Sequence, residues 1–174
     1  MATRLFKSLL VALLLPVLSG CGFSLRGSDA LSASLPELQL YLQQPGDEIA
    51  GLLRRALQDA NVAVTEIDAD TVNPGLPVLI VGAEQRRIRP ITVTPRARAA
   101  QYDIRMTLPV SMIQGENQLL GPEDLIIQQV YYENTGNITG TLEEREVIQS
   151  ELRRELVNRL LRRLEAATSN GTAS

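Results

Sequence analysis

Two groups of residues in this chain have types and spacing that suggest chemistry. One is a single cysteine, Cys21. The other is a set of five arginines, Arg86, Arg87, Arg89, Arg96 and Arg98, with no acid between Glu84 and Asp103. The residue types that catalysis usually needs are missing around them. Without histidine, neither a Ser-His-Asp nor a Cys-His arrangement can be built. There is no HExxH, no glycine-rich phosphate loop and no cluster with metal-ligand spacing. Two carboxylate pairs exist, but Asp68 and Asp70 fall in a loop. Glu143 and Glu144 fall at a helix start, where acids complement the helix dipole anyway. Glycan binding by aromatic stacking is poorly supplied, because tryptophan is absent and Phe23 is the only phenylalanine after the leader. The chain therefore reads as a non-enzyme with no metal site and no bound cofactor.

The arginine segment, "QRRIRPITVTPRAR" over 85–98, invites a different chemistry. A guanidinium presents a planar fork that pairs bidentately with phosphate or carboxylate. The bland reading is a solvated charge run. Two features oppose it. The field runs against the acidic balance of the chain, and Ile88, Ile91 and Val93 are interleaved with the arginines. Cationic plus apolar suits a phosphorylated lipid.

Cys21 closes a leader. Arg4 and Lys7 give a positive start, Leu9 to Leu18 an apolar run, and Ser19 and Gly20 the small residues a signal protease needs. The run is about ten residues, well short of the roughly 20 that span a bilayer. Leu18-Ser19-Gly20-Cys21 matches the bacterial lipobox, in which the cysteine becomes residue one, with a diacylglycerol on its thiol and an acyl chain on its amine. Several chains anchor stably where one is marginal. The competing reading is an ordinary free cysteine. A lone cysteine also excludes a disulfide framework. Gly22 in place of an aspartate would, as in Gram-negative lipoproteins, allow passage to the outer membrane.

These sites need elements to position them. Residues 1–20 read as signal peptide and 21–34 as a lipid-anchored tether, rich in small residues. Residues 35–166 read as one domain, and 167–174 as a disordered tail. Without Arg4 and Lys7 the chain carries 15 basic and 20 acidic residues, a net charge near −5, which argues against nucleic acid as a partner. "LPELQLYLQ" reads as a strand. Ile49, Leu52, Leu53, Ala56, Leu57 and Ala60 form a helical stripe, ended by Asn61. "VAVTEI" is a short strand, 68–77 a loop, and 78–88 one strand. Tyr102, Ile104, Met106, Leu108, Val110 and Met112 alternate with polar residues, the strongest strand signal in the chain; Pro109 within it suggests an edge or a bulge. A turn spans Gly115 to Pro122, and 125–133 is a further strand. After a loop at 134–140, Thr141 with Glu144 forms a capping box. Val147, Ile148, Leu152, Leu156, Leu160, Leu161 and Leu164 then mark a long amphipathic helix. The predicted class is α+β, with two helices packed on one face of a four- to five-stranded, mostly antiparallel sheet.

"CGFSLRG" directly after the leader, "QYDIRMTLPVSM" in a long strand and the closing helix resemble the LptE (RlpB) family of lipopolysaccharide-assembly lipoproteins. The resemblance implies a plug inside an LptD-type outer-membrane β-barrel, help in assembling that barrel, and binding of lipopolysaccharide. It also implies an outer-membrane location, lipid-anchored on the periplasmic side through Cys21. Basic residues near the loop before the long strand carry lipopolysaccharide in that family. Arg96 and Arg98 occupy that region here, and Arg86, Arg87 and Arg89 lie near it. The family's second basic contribution is missing, since 134–144 holds no lysine or arginine. Two other readings stay open from the residues: a structural envelope lipoprotein that scaffolds another complex or binds peptidoglycan, and a small envelope hydrolase.

Overall fold

A computed structural model describes residues 28–68, 70–93, 99–132 and 138–171. Its backbone is built around β5 (Ala99–Gln114), the strand with the longest period-two pattern. Ile104, Met106, Leu108, Val110 and Met112 are all buried on one face. β6 (Asn117–Tyr132) returns antiparallel along the whole of β5. The other edge of β5 is shared. β3 (Val78–Val81) pairs with its far end and β4 (Gln85–Val93) with its near end, both antiparallel. β1 (Glu37–Leu42) lies parallel to β3, and β2 (Ala63–Glu66) parallel to β1. The sheet has six strands in a mostly antiparallel arrangement, more than the four to five expected. The extra strand arises because 78–88 is two strands rather than one.

The break between them explains Pro109. It lies inside a central strand, not at an edge. Its carbonyl accepts from Gly82 N at 2.8 Å. In an antiparallel ladder a residue's donor and acceptor point to the same neighbour, so the missing proline N–H also faces the gap between β3 and β4. A Cβ on Gly82 would stand 3.0 Å from Pro109 Cβ, so any larger residue there would have to push the proline ring aside. The β5–β6 turn is also tighter than 115–122. Gly115, at φ 58, and Glu116 make it alone, and a positive φ at the first position is the mark of a two-residue hairpin loop.

Three helices accompany the sheet. α1 (Ser28–Ser34) falls within the expected tether. Leu31 and Leu35 follow its one apolar side into the core, and both are buried. Small residues resemble a linker in composition, but here they let α1 approach α3. α2 (Glu48–Asp59) buries Ile49, Leu53 and Leu57, and Asn61 after it takes the left-handed conformation at φ 56. α3 (Ile138–Gly171) buries Ile148, Leu152, Leu156, Leu160 and Leu164. It begins three residues before Thr141, which is therefore inside the helix rather than its cap. It also runs through most of the expected tail, where Thr168 and Ser34 share a hydrogen bond of 2.8 Å. Val147, assigned to its apolar stripe, is 56% exposed. The core lies between α2 and α3 on one side and the inward residues of β1, β3, β5 and β6 on the other. No helix among the described residues is long and apolar enough to cross a membrane.

Candidate functional site

The helices leave one face of the β4–β5–β6 ribbon uncovered. Register decides what it shows. Even-numbered β5 residues such as Ile104 and Met106 point to the helices, so Asp103 and Arg105 point outward. β4 is aligned so that Arg87 lies opposite Arg105, and Arg89 opposite Asp103. Arg87, Arg89 and Arg105 therefore gather on one open surface around one carboxylate.

Within this group Arg89 Nε donates to Asp103 Oδ2 at 3.0 Å. The acid side chain is 7% exposed and the arginine 67%. Arg105 Nη2 donates to Gln128 Oε1 on β6 at 3.2 Å. Arg87, Arg89, Asp103 and Arg105 line a cleft of about 20 Å³, room for roughly one water-sized group. Asp103 Oδ1 is buried and has no hydrogen-bond partner among the described residues. Beside the cluster the same face presents Ile126, Val130 and Tyr132 from β6, the last 70% exposed. The apolar-plus-cationic composition expected of the arginine segment is realised, with Ile91 51% exposed on β4.

Of the three candidate arginines that the structure describes, two share the open face and one does not. Arg86 alternates to the helix side, opposite Met106, and donates through Nη1 to Gln149 on α3. Arg87 and Arg89 share the open face. Arg96 and Arg98 belong to the hairpin's connecting segment, which lies outside the described residues, as does Cys21. The residues that sequence reasoning missed are Asp103 and Arg105. Their wet positions in the alternating strand were legible. Their meeting with Arg87 and Arg89 depends on the register. Among the described residues no three His, Cys, Asp or Glu side chains come together as a metal site.

The fold, an open mixed sheet with helices on one face, is shared by a class of bacterial lipoproteins. Rare lipoprotein B from Shewanella oneidensis superposes with a TM-score of 0.69 at 18% identity, over 77% of this chain and 97% of that one. Lipoprotein B from Nitrosomonas europaea gives 0.64 at 18% identity, over 86% and 94%. Within that class the sequence is specific. The LptE family model, described as lipopolysaccharide-assembly, matches residues 38–164, and the chain belongs to this family. It is 26% identical over 157 residues to the LPS-assembly lipoprotein LptE of Photorhabdus laumondii, covering 90% of this chain and 84% of that protein. It is 24% identical over 173 residues to the LptE of Pectobacterium atrosepticum, covering 99% and 90%. The resemblance carried by "CGFSLRG", the long strand and the closing helix is thus a family membership.

Proposed function

We propose that this chain is an outer-membrane lipoprotein of lipopolysaccharide assembly, held to the periplasmic side of the membrane by acyl chains on Cys21. In this reading it plugs a large LptD-type β-barrel, assists the barrel's assembly, and binds lipopolysaccharide before it enters the outer leaflet. It does no covalent chemistry. It offers a preformed surface on which phosphate charge is met by guanidinium forks and acyl chains by neighbouring apolar side chains. Such contacts replace those between lipopolysaccharide molecules and weaken their aggregation. The observation that carries the reading is the uncovered arginine face of the β4–β5 hairpin, in a chain of this family. Arg96 and Arg98, in the segment that joins β4 to β5, extend that charge along the sequence.

Replacing Arg96 and Arg98 together with glutamate tests the proposal. Binding of purified protein to lipopolysaccharide is expected to fall at least about tenfold, since each charge-assisted hydrogen bond is worth about 1.5–3 kcal/mol. Unchanged affinity would remove the tip from the mechanism.

A further inference from the structure

The arginine face contains an arrangement that makes little sense without an occupant. Arg87 and Arg105 stand directly opposite each other across the β4–β5 ladder. Like charges at directly opposed positions destabilise a strand pair. Arg89 is paired with Asp103, but among the described residues neither of the other two has an ion-pair partner: Gln128 gives Arg105 a hydrogen bond, not a charge. Among the described residues the cluster thus holds three guanidinium groups and one carboxylate.

Asp103 adds a second, independent demand. Its side chain is buried, Oδ2 takes the Arg89 hydrogen bond, and Oδ1 is buried without a donor among the described residues. An unsatisfied buried acceptor is uncommon and calls for an explanation. Oδ1 belongs to the carboxylate that lines the small cleft with Arg87, Arg89 and Arg105. An occupant of this face must therefore bring an anion, over Arg87 and Arg105, and one water-sized hydrogen-bond donor that enters the cleft toward Asp103. Inorganic phosphate at neutral pH offers mostly acceptors. A phosphate on a sugar offers both, because the ring carries hydroxyl or amide N–H donors close to the ester.

We infer that the outer face of the β4–β5 hairpin is a seat for a phosphorylated sugar, with the phosphate held between Arg87 and Arg105 and a sugar donor directed at Asp103 Oδ1. Arg89 is a positioning residue that orients the carboxylate through its hydrogen bond to Oδ2. The seat is distinct from the hairpin tip, and it deepens the lipopolysaccharide reading by naming which part of that molecule this face takes. The exposed row of Ile126, Val130 and Tyr132 beside it suits the apolar portion of the same amphiphile.

The experiment measures binding of the full mature chain in detergent to four probes: lipopolysaccharide, the same material stripped of phosphate, glucosamine 6-phosphate and inorganic phosphate. The double variant Arg87→Gln/Arg105→Gln should lose about tenfold or more for the phosphorylated probes. It should lose little for the stripped one. Its melting temperature should hold or rise, because a like-charge pair has gone. Asp103→Asn should erase the preference for glucosamine 6-phosphate over inorganic phosphate. Should that variant fold poorly, the arginine pair still decides the matter. If the double variant binds every probe as the wild type does while Arg96→Glu/Arg98→Glu loses lipopolysaccharide, the seat is overturned and the tip reading stands. If the wild type takes glucosamine 6-phosphate through Arg87 and Arg105 but ignores lipopolysaccharide, the seat stands and the lipopolysaccharide reading falls. Binding of neither overturns both. Intact probe binding with loss of a co-purifying protein would make this face a protein contact and overturn the seat.

Discussion

Arg153 stands where three elements meet. From α3 its Nε donates to Glu84 Oε2 at 2.8 Å and its Nη2 to Glu84 Oε1 at 3.2 Å, a bidentate fork. Its Nη1 donates to Glu48 Oε2 at 2.6 Å, at the start of α2. Arg153 and Glu84 side chains are 15% and 10% exposed. Burial works against the charge on Arg153, yet the hydrogen bond to Glu84 and the charges of Glu84, Glu48 and Asp47 hold its pKa above the ordinary arginine value. Glu84 closes the gap between β3 and β4, so this fork fixes the root of the cationic hairpin against the helix layer. Removing one member of such a pair strands the other in a poorly hydrated site. Arg153→Met is expected to lower unfolding stability by about 3 kcal/mol. Arg153→Met/Glu84→Leu should recover most of that loss, because no uncompensated charge remains. Urea unfolding with constant m-value reads both, and a double variant no better than the single would sink the account. None of this was legible in the sequence. Arg153 looked like one more charge on the polar face of a helix, and its partner lies 69 positions away. Only local patterns are written locally. For the same reason Arg105 and Asp103 could be read as wet-side residues but not as neighbours of Arg87 and Arg89.

At the level of elements, periodicity carried well and composition did not. The alternation from Tyr102 to Met112 and the stripe from Ile49 to Ala60 describe β5 and α2 because side-chain period is imposed by backbone geometry alone. The tether and tail assignments rested on small and polar residues, which set no period, and the described parts of both, 28–34 and 167–171, are helical. α1 and the end of α3 hold each other, through Leu31 in the core and the Ser34–Thr168 hydrogen bond. A seven-residue helix is too short to persist alone in water, so α1 exists because of that packing. Leu31→Ala is expected to destabilise the protein by roughly 2–5 kcal/mol, as for other buried leucines. Amide exchange across 28–34 should accelerate together with the last turns of α3. A thermal midpoint equal to the wild type would return the segment to the tether reading. The split of 78–88 into β3 and β4 was likewise hidden. "VLIVGAEQRRI" runs on without a strong breaker, and the need for the break comes from Pro109 on a strand that pairs from the other side.

Taken whole, the molecule has a closed face and an open one. α3 has 34 residues and the β5–β6 strands have 16 each, which makes both about 50 Å long. One helix can therefore cover the ribbon from end to end, and it covers one side only. The closed side carries helix arginines held in ion pairs, such as Arg153 with Glu84, while the open side carries Arg87, Arg89 and Arg105 around one carboxylate, so the two sides suit different tasks. In the proposed complex, the barrel must be held by a large surface, because a permanent partner buries upwards of about 2,000 Å². The arginine hairpin is a small part of any such surface. Charge reversals at the edge of a large interface change association rate and salt dependence more than the persistence of the complex. Tagged wild-type chain extracted from outer membranes in mild detergent is therefore expected to bring down one large β-barrel at one-to-one stoichiometry, identified by mass spectrometry. Arg96→Glu/Arg98→Glu should bring down the same barrel in the same amount while binding lipopolysaccharide weakly. Loss of the barrel in that variant would make the hairpin tip an assembly contact. Absence of any barrel with the wild type, under conditions that keep other envelope complexes whole, would remove the plug from the mechanism and leave the arginine face to be explained by lipid alone.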